Sequence, residues 1–180
     1  MELFRKRSMD ELEKASLKQQ ENARPFPLVL VLDNLRSLSN VGSVFRTADA
    51  LGVEKLCLCG FTGQPPHREI EKTALGATET VCWEYYPDVV SCLTELRENG
   101  YLIAALEQTT GSSPLQEIEL GCPMAVVVGN EISGVSDEAL QLSQLVVEIP
   151  QYGSKHSLNV AVSTGILVWQ LRSMELKKQN

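Results

Sequence analysis

Histidine is scarce in this chain, basic side chains are outnumbered, and no apolar run is long. Only His67 and His156 occur in 180 residues, far apart, and no two cysteines stand as C-x-x-C. The spacing that zinc sites use is therefore missing, and no metal is expected. No stretch reaches the roughly 18 uninterrupted apolar residues of a membrane span, and no basic-then-apolar leader precedes an A-x-A site. A cytoplasmic protein with no membrane partner is expected. The five cysteines are an odd number, and Cys57 and Cys59 stand two apart, which on a strand turns both thiols to one face. Buried, reduced thiols are expected rather than disulfides. Neither G-x-G-x-x-G nor G-x-x-x-x-G-K-[ST] occurs, so the usual glycine-loop nucleotide sites have no support.

The shortage of positive charge is uneven. The net charge is −7, but residues 1–24 carry six basic and five acidic side chains, residues 171–180 three and one, and the body between them seven and seventeen. Binding to nucleic acid normally rests on Lys and Arg that neutralise phosphates. A body at −10 argues against it, so any RNA site must be a local patch.

What is present fits a single domain: 180 residues with 43% hydrophobic and 22% charged side chains, enough to bury a stable core. Leu28–Asp33 is an apolar run ending in turn chemistry, which predicts a strand covered on both faces. Val41, Val44, Phe45, Ala48 and Leu51 recur at helical spacing before Gly52, a C-cap residue, and Val53–Cys59 reads as the next strand. "TALGATETVCWEYY" repeats the phrase "ADALGVEKLCLCG", each a helix end with glycine before a strand. A helix over about 86–98, strands at Tyr101–Leu106 and Met124–Val128, a short helix over about 136–142, a strand at Leu145–Ile149 and a last helix from about 157 complete the pattern. Alternating strands and helices predict an α/β fold, a parallel sheet flanked by helices. Residues 8–20 open with Ser8-x-x-Glu11, a capping box, on a weak apolar stripe, which predicts a peripheral helix. Residues 1–24 then form an N-terminal helical extension, and 25–180 the main domain.

Three segments exceed what a scaffold needs, each at the carboxyl end of a predicted strand, where open α/β sheets bind ligands. In "DNLRSLSNVGSVFRTADALG", Arg46 falls opposite the apolar stripe, as a solvated arginine or one aimed at a ligand, and Asn40 stands where an N-cap would. In "VVVGNEISGVSDEAL", Gly129 and Gly134 bracket Glu131, either in a tight turn or where backbone approaches a ligand. In "YGSKHSLNVAVSTGILVWQL", Lys155, His156, Ser157 and Asn159 crowd the mouth of an apolar helix. Ser157 is a candidate N-cap there, and Asn159 then falls inside the first turn, where an amide is a mediocre helix former.

Together the three segments resemble the SpoU/TrmH group of SPOUT RNA 2′-O-methyltransferases. "SNVGSVFRTADALG" is similar to that family's first motif, N-x-G then R-T-A; "VVVGNEISGVS" to the second, G-x-E-x-x-G; and "IPQYGSKHSLNVAVSTGI" to the third, I-P-x-x-G then S-L-N-V. The resemblance covers about residues 27–172. Ser39 stands where the family often has proline, and Gln151-Tyr152 replaces a methionine-containing pair.

The resemblance implies a C-terminal deep trefoil knot, S-adenosylmethionine held in it, and a homodimer whose active site uses both subunits. By position it implies that Leu106, Gly129, Ile149, Ser157 and Leu158 contact the cofactor, and that Asn40, Arg46, Glu131, Ser157 and Asn159 form the catalytic set. Such enzymes are described with the first-motif arginine as base, yet a guanidinium is almost never neutral. Arg46 is expected instead to clamp a phosphate and steady the developing alkoxide, fixed by Asn40 and Glu131 through charge-assisted hydrogen bonds. Recognition by the ends, through Arg5, Lys6, Arg7, Arg24, Lys177 and Lys178, resembles the tRNA-modifying members more than the rRNA-modifying ones. The competing expectation is a knotted dimer that binds cofactor or RNA as a scaffold or regulator without methylating.

Overall fold

The computed structural model describes residues 4–22, 26–119 and 123–178. In chain order the elements are α1 Met9–Asn22, β1 Leu28–Asp33, α2 Leu38–Leu51, β2 Lys55–Cys59, α3 Arg68–Ala74, α4 Ala77–Thr80 and β3 Trp83–Tyr86. There follow α5 Val89–Glu98, β4 Leu102–Leu106, the two-residue β5 Ser113–Pro114, a 3-10 turn at Leu115–Glu117, β6 Met124–Val128, α6 Asp137–Leu142, β7 Leu145–Glu148 and α7 Val160–Lys178. The seven strands form one sheet in the order β3-β2-β1-β6-β4-β7-β5, and every pairing is parallel. The expected helix-flanked parallel sheet is present.

Alternation along β1 sorts the core into two layers. Leu28, Leu30 and Leu32 meet Val44 and Phe45 of α2, Ile70 of α3, and Leu167, Val168 and Leu171 of α7. Val29 and Val31 meet Cys57, Cys59, Leu93 and Leu96 of α5 and Ala139 of α6 on the opposite face. β1 is buried along its whole length, so Leu28–Leu32 are apolar on both faces and do not alternate; only its last residue, Asp33, is polar. Cys57 and Cys59 share a face, as their spacing required, and Cys92 is buried with them. Cys82, however, is exposed. Burial and the neighbouring thiol of Cys92 push the Cys57 thiol far above its ordinary range, the neighbour counting most.

The helix ends differ from expectation in α2, α3 and α7. Ser37, not Asn40, caps α2, accepting from Asn40 N. At the other end Gly52 caps it in the left-handed conformation, φ 68°, as expected. Leu75, not Gly76, closes α3 at φ 51°, because its N–H continues the ladder to Glu71 O. The final helix begins at Val160 and not at 157. Asn159 is its cap, with Oδ1 accepting from the N–H groups of Ala161 and Val162 at 2.9 and 3.3 Å. Ser157 is not a cap. Nor is α7 buried all round: Thr164, Leu167, Val168 and Leu171 are interior, while Val162, Ile166 and Trp169 stay 52, 41 and 60% exposed.

At the N-terminus the Ser8–Glu11 capping box forms, with Ser8 N donating to Glu11 Oε2 at 2.8 Å and Glu11 N to Ser8 Oγ at 3.3 Å. Arg24 lies outside the described residues. Among the described residues no helix is long and apolar enough to cross a membrane, and no three His, Cys, Asp or Glu side chains gather as a metal site.

Candidate active site

Parallel strands deliver their carboxyl ends to one edge of the sheet, and the loops that leave β1, β6 and β7 meet there. Asp33, last residue of β1, is 1% exposed. Its Oδ2 accepts from Ser136 N at 3.0 Å and its Oδ1 from Asn34 Nδ2 at 2.9 Å, which ties the loop after β1 to the loop after β6. Asn130 doubles the tie: Nδ2 donates to Asn34 O at 2.6 Å, while Oδ1 accepts from Ile132 and Ser133 N–H and shapes its own turn. Gly129 is required by space. A Cβ there would lie 2.1 Å from Val135 N and 2.2 Å from Gly134 C, backbone atoms that cannot step aside without breaking the turn.

On this frame three of the expected catalytic side chains join. Glu131 accepts from Arg36 N at 2.9 Å, Ser37 N at 3.0 Å and Asn40 Nδ2 at 2.9 Å. Its carboxylate thus sits at the N-terminus of α2, where the helix dipole favours negative charge. Burial alone would push this carboxyl up, but the N–H donors of Arg36 and Ser37 and the amide of Asn40 outweigh it and hold the pKa below the usual carboxylate range. Asn40 Oδ1 in turn accepts from Asn159 Nδ2 at 3.2 Å. Asn159 faces two ways, its oxygen capping α7 and its amide gripping Asn40. One residue from each of the three segments is therefore in the same chain of hydrogen bonds.

Arg46 does not join them. It is exposed, lies about 120° round α2 from Asn40 by helix geometry, and has no hydrogen-bond or ion-pair partner among the described residues. The expectation that Asn40 and Glu131 fix its guanidinium is not met within this chain, because their polar atoms are taken up by each other, by Asn159 and by the backbone. Ser157 is exposed at the rim.

The same loops enclose a cleft of about 750 Å³, a volume ordinary for small-molecule sites. Leu106, Gly129, Ile149, Ser157 and Leu158, all five expected cofactor contacts, line it, as do Glu131 and Asn159. Glu107, Asp137 and Glu148 also line it, so its walls carry negative charge.

A family model described as the SpoU rRNA methylase family matches residues 27–169. The chain belongs to that family. It is 32% identical over 158 residues to the 23S rRNA (guanosine-2′-O-)-methyltransferase of Neisseria meningitidis, covering 88% of this chain and 63% of that one. It therefore spans less than two thirds of that relative's length. The A. aeolicus TrmH/SpoU tRNA modifying enzyme superposes with a TM-score of 0.81 at 30% identity, over 93% of this chain and 86% of that chain. The AdoMet-bound rRNA methyltransferase of Sinorhizobium meliloti gives 0.78 at 27% identity, over 83 and 57%. The SpoU match takes in all three motif segments.

Several residues that hold this SpoU site together escaped the sequence reading: Asp33, Asn34, Thr62, Glu107, Gln108 and Asn130. Thr62 Oγ1 donates to Leu32 O at 2.9 Å and accepts from Leu35 N at 3.0 Å, and Asn34 takes a positive φ of 56°. The one local signal was Asp33-Asn34 at the end of an apolar run, a pair whose short side chains favour such turns.

Proposed function

We propose that this SpoU-family chain transfers a methyl group from S-adenosylmethionine to a ribose 2′-hydroxyl of RNA, with tRNA rather than rRNA as substrate. The observation that carries the reading is the Asn159–Asn40–Glu131 chain, which gathers the three motif segments beside one cleft. The cleft suits the cofactor on two counts. It has room for a nucleoside-sized ligand, and its carboxylate-bearing walls complement a sulfonium cation. Leu106, Gly129, Ile149, Ser157 and Leu158 would hold the cofactor, which supplies an activated methyl group on a cationic sulfur.

The rest belongs to the protein: holding the ribose oxygen in line and managing its proton. Arg46 clamps an RNA phosphate with its planar fork and stabilises the oxygen as negative charge develops on it. The proton leaves to phosphate or water. Glu131 and Asn40 act on the loops, not on Arg46 directly.

The chain works as a cytoplasmic homodimer. Val162, Ile166 and Trp169 form an exposed apolar stripe on α7, and Arg46 faces away from its own core, free to reach RNA beside the partner's cofactor. A deep trefoil knot near the C-terminus accords with the topology: β7 lies outside β4, yet α7 returns across the sheet to pack on α2. Residues 25–180 form the catalytic domain and 1–24 an extension. Support for tRNA comes from the tRNA-modifying A. aeolicus enzyme, which matches 93% of this chain against 83% for the S. meliloti rRNA enzyme, and from basic residues at both ends. Of these, Arg5 is paired with Glu11 at 2.6 Å, a surface contact that RNA can replace at small cost.

The test is incubation with methyl-labelled S-adenosylmethionine and total RNA, followed by nucleoside analysis and mapping. Label in 2′-O-methylnucleosides of the tRNA fraction is expected. Binding of cofactor or RNA without transfer would favour the scaffold reading, and label on bases alone would overturn the ribose assignment.

A further inference from the structure

The loop between β7 and α7 is held more lightly than the other walls of the cleft. Residues 152–158 are all exposed. Among the described residues, one hydrogen bond ties that stretch to another element: Gln108 Nε2 donates to His156 O at 2.6 Å. Gln108 is itself firmly based. It follows Glu107, whose N–H extends the ladder to Val147 O at 3.0 Å. The Glu107 carboxylate accepts from Gln108 N at 2.8 Å through Oε1 and from Val135 N at 2.9 Å through Oε2. Two adjacent residues beyond β4 thus grip two walls, Glu107 the loop after β6 and Gln108 the loop before α7. Ser157 and Leu158, which line the cleft, directly follow the carbonyl that Gln108 holds.

We propose that Gln108 is a latch: a positioning residue that pre-orders residues 152–158 over the cleft and thereby raises affinity for S-adenosylmethionine. The inference rests on the methyltransferase reading above for the identity of the ligand, but not for the latch itself. Without the latch, binding must also order a loop whose backbone entropy costs about 1–2 kcal/mol per residue fixed. One neutral hydrogen bond sets the scale of the loss, about fivefold in affinity.

The test compares wild type with Gln108→Ala and Gln108→Glu. The glutamate keeps the shape but turns a donor into a carboxylate facing a carbonyl, so it is expected to weaken binding more than alanine does. Calorimetric binding of S-adenosylhomocysteine, as a non-reacting probe, should weaken about fivefold for Gln108→Ala, with a melting temperature within about 1 °C of wild type because the residue is exposed. Trypsin cleavage after Lys155, with no ligand present, should speed up by a similar factor. Unchanged cleavage in both variants, or a Gln108→Glu protein that binds like wild type, overturns the latch. A wild-type protein that ignores the probe sinks the methyltransferase reading, and the cleavage arm still decides the latch.

Discussion

Removing the Glu131 carboxylate should unfasten the loop after β6 from the start of α2, and the structure sets how much that costs. Glu131→Ala deletes three hydrogen bonds of 2.9–3.0 Å. Hydrogen bonds to a charged group contribute about 1.5–3 kcal/mol each when water is excluded. Glu131 is exposed, so its donors regain water and each bond scales down to about 0.5–1 kcal/mol. The expected loss is about 2 kcal/mol, or roughly 4–8 °C in melting temperature for a chain of this size. Glu131→Gln keeps one acceptor oxygen but turns an NH2 toward backbone donors, so it should fall between wild type and alanine.

Urea unfolding of wild type, Glu131→Ala, Asn40→Ala and the double variant isolates the pair. Asn40 and Glu131 are in contact, so a coupling of about 0.5–1 kcal/mol is expected. Additivity within about 0.3 kcal/mol would refute the claim that this bond joins the segments. Acidity gives a second check with a definite sign. The folded carboxyl titrates below its unfolded value, so the native state holds fewer protons in that window and Glu131 stabilises above it. The stability gap between wild type and Glu131→Gln should be full at neutral pH and close as pH falls through the carboxylate range and below it. A gap that widens on acidification would reverse the assignment.

The remaining expectations concern the other motif residues and the dimer. Arg46→Lys keeps the charge and loses the fork, so turnover should fall more than tenfold while cofactor affinity and melting stay put; near-wild-type turnover at neutral pH would end the clamp idea. Asn159→Ala removes a helix cap, about 1 kcal/mol, and frees Asn40. It should melt a few degrees lower and lose far more activity than that shift explains, whereas unaltered turnover would make Asn159 purely structural. Trp169→Glu places a charge in the exposed stripe of α7, and sedimentation should show a monomer with lost transfer; an intact dimer would locate the interface elsewhere.

Local pattern was enough for most of the scaffold, because burial on a sheet or helix face leaves a periodic trace in the residues themselves. The apolar runs at Leu28–Asp33 and Met124–Val128 carry the bounds of β1 and β6, and Gly52 marks the end of α2 through its own φ. Where two neighbouring candidates compete, pattern falls short. Both Ser37 and Asn40 can cap α2, and Asn159 can be read as cap or first turn. The choice was made by partners 91 and 119 residues away from Asn40, which no window along the chain contains.

The kinds of residue in the site were therefore fixed by the order of amino acids: an amide in the first turn of a helix, a carboxylate between glycines, a polar run ahead of an apolar helix. Their assembly was not. That Glu131 closes on α2 while Arg46 stands apart, and that Glu107 and Gln108 each hold a wall of the cleft, followed only once β6 lay between β1 and β4. Strand order is set by the packing of the whole core, and a hydrogen bond between distant loops exists only after that packing has brought its donor and acceptor within reach.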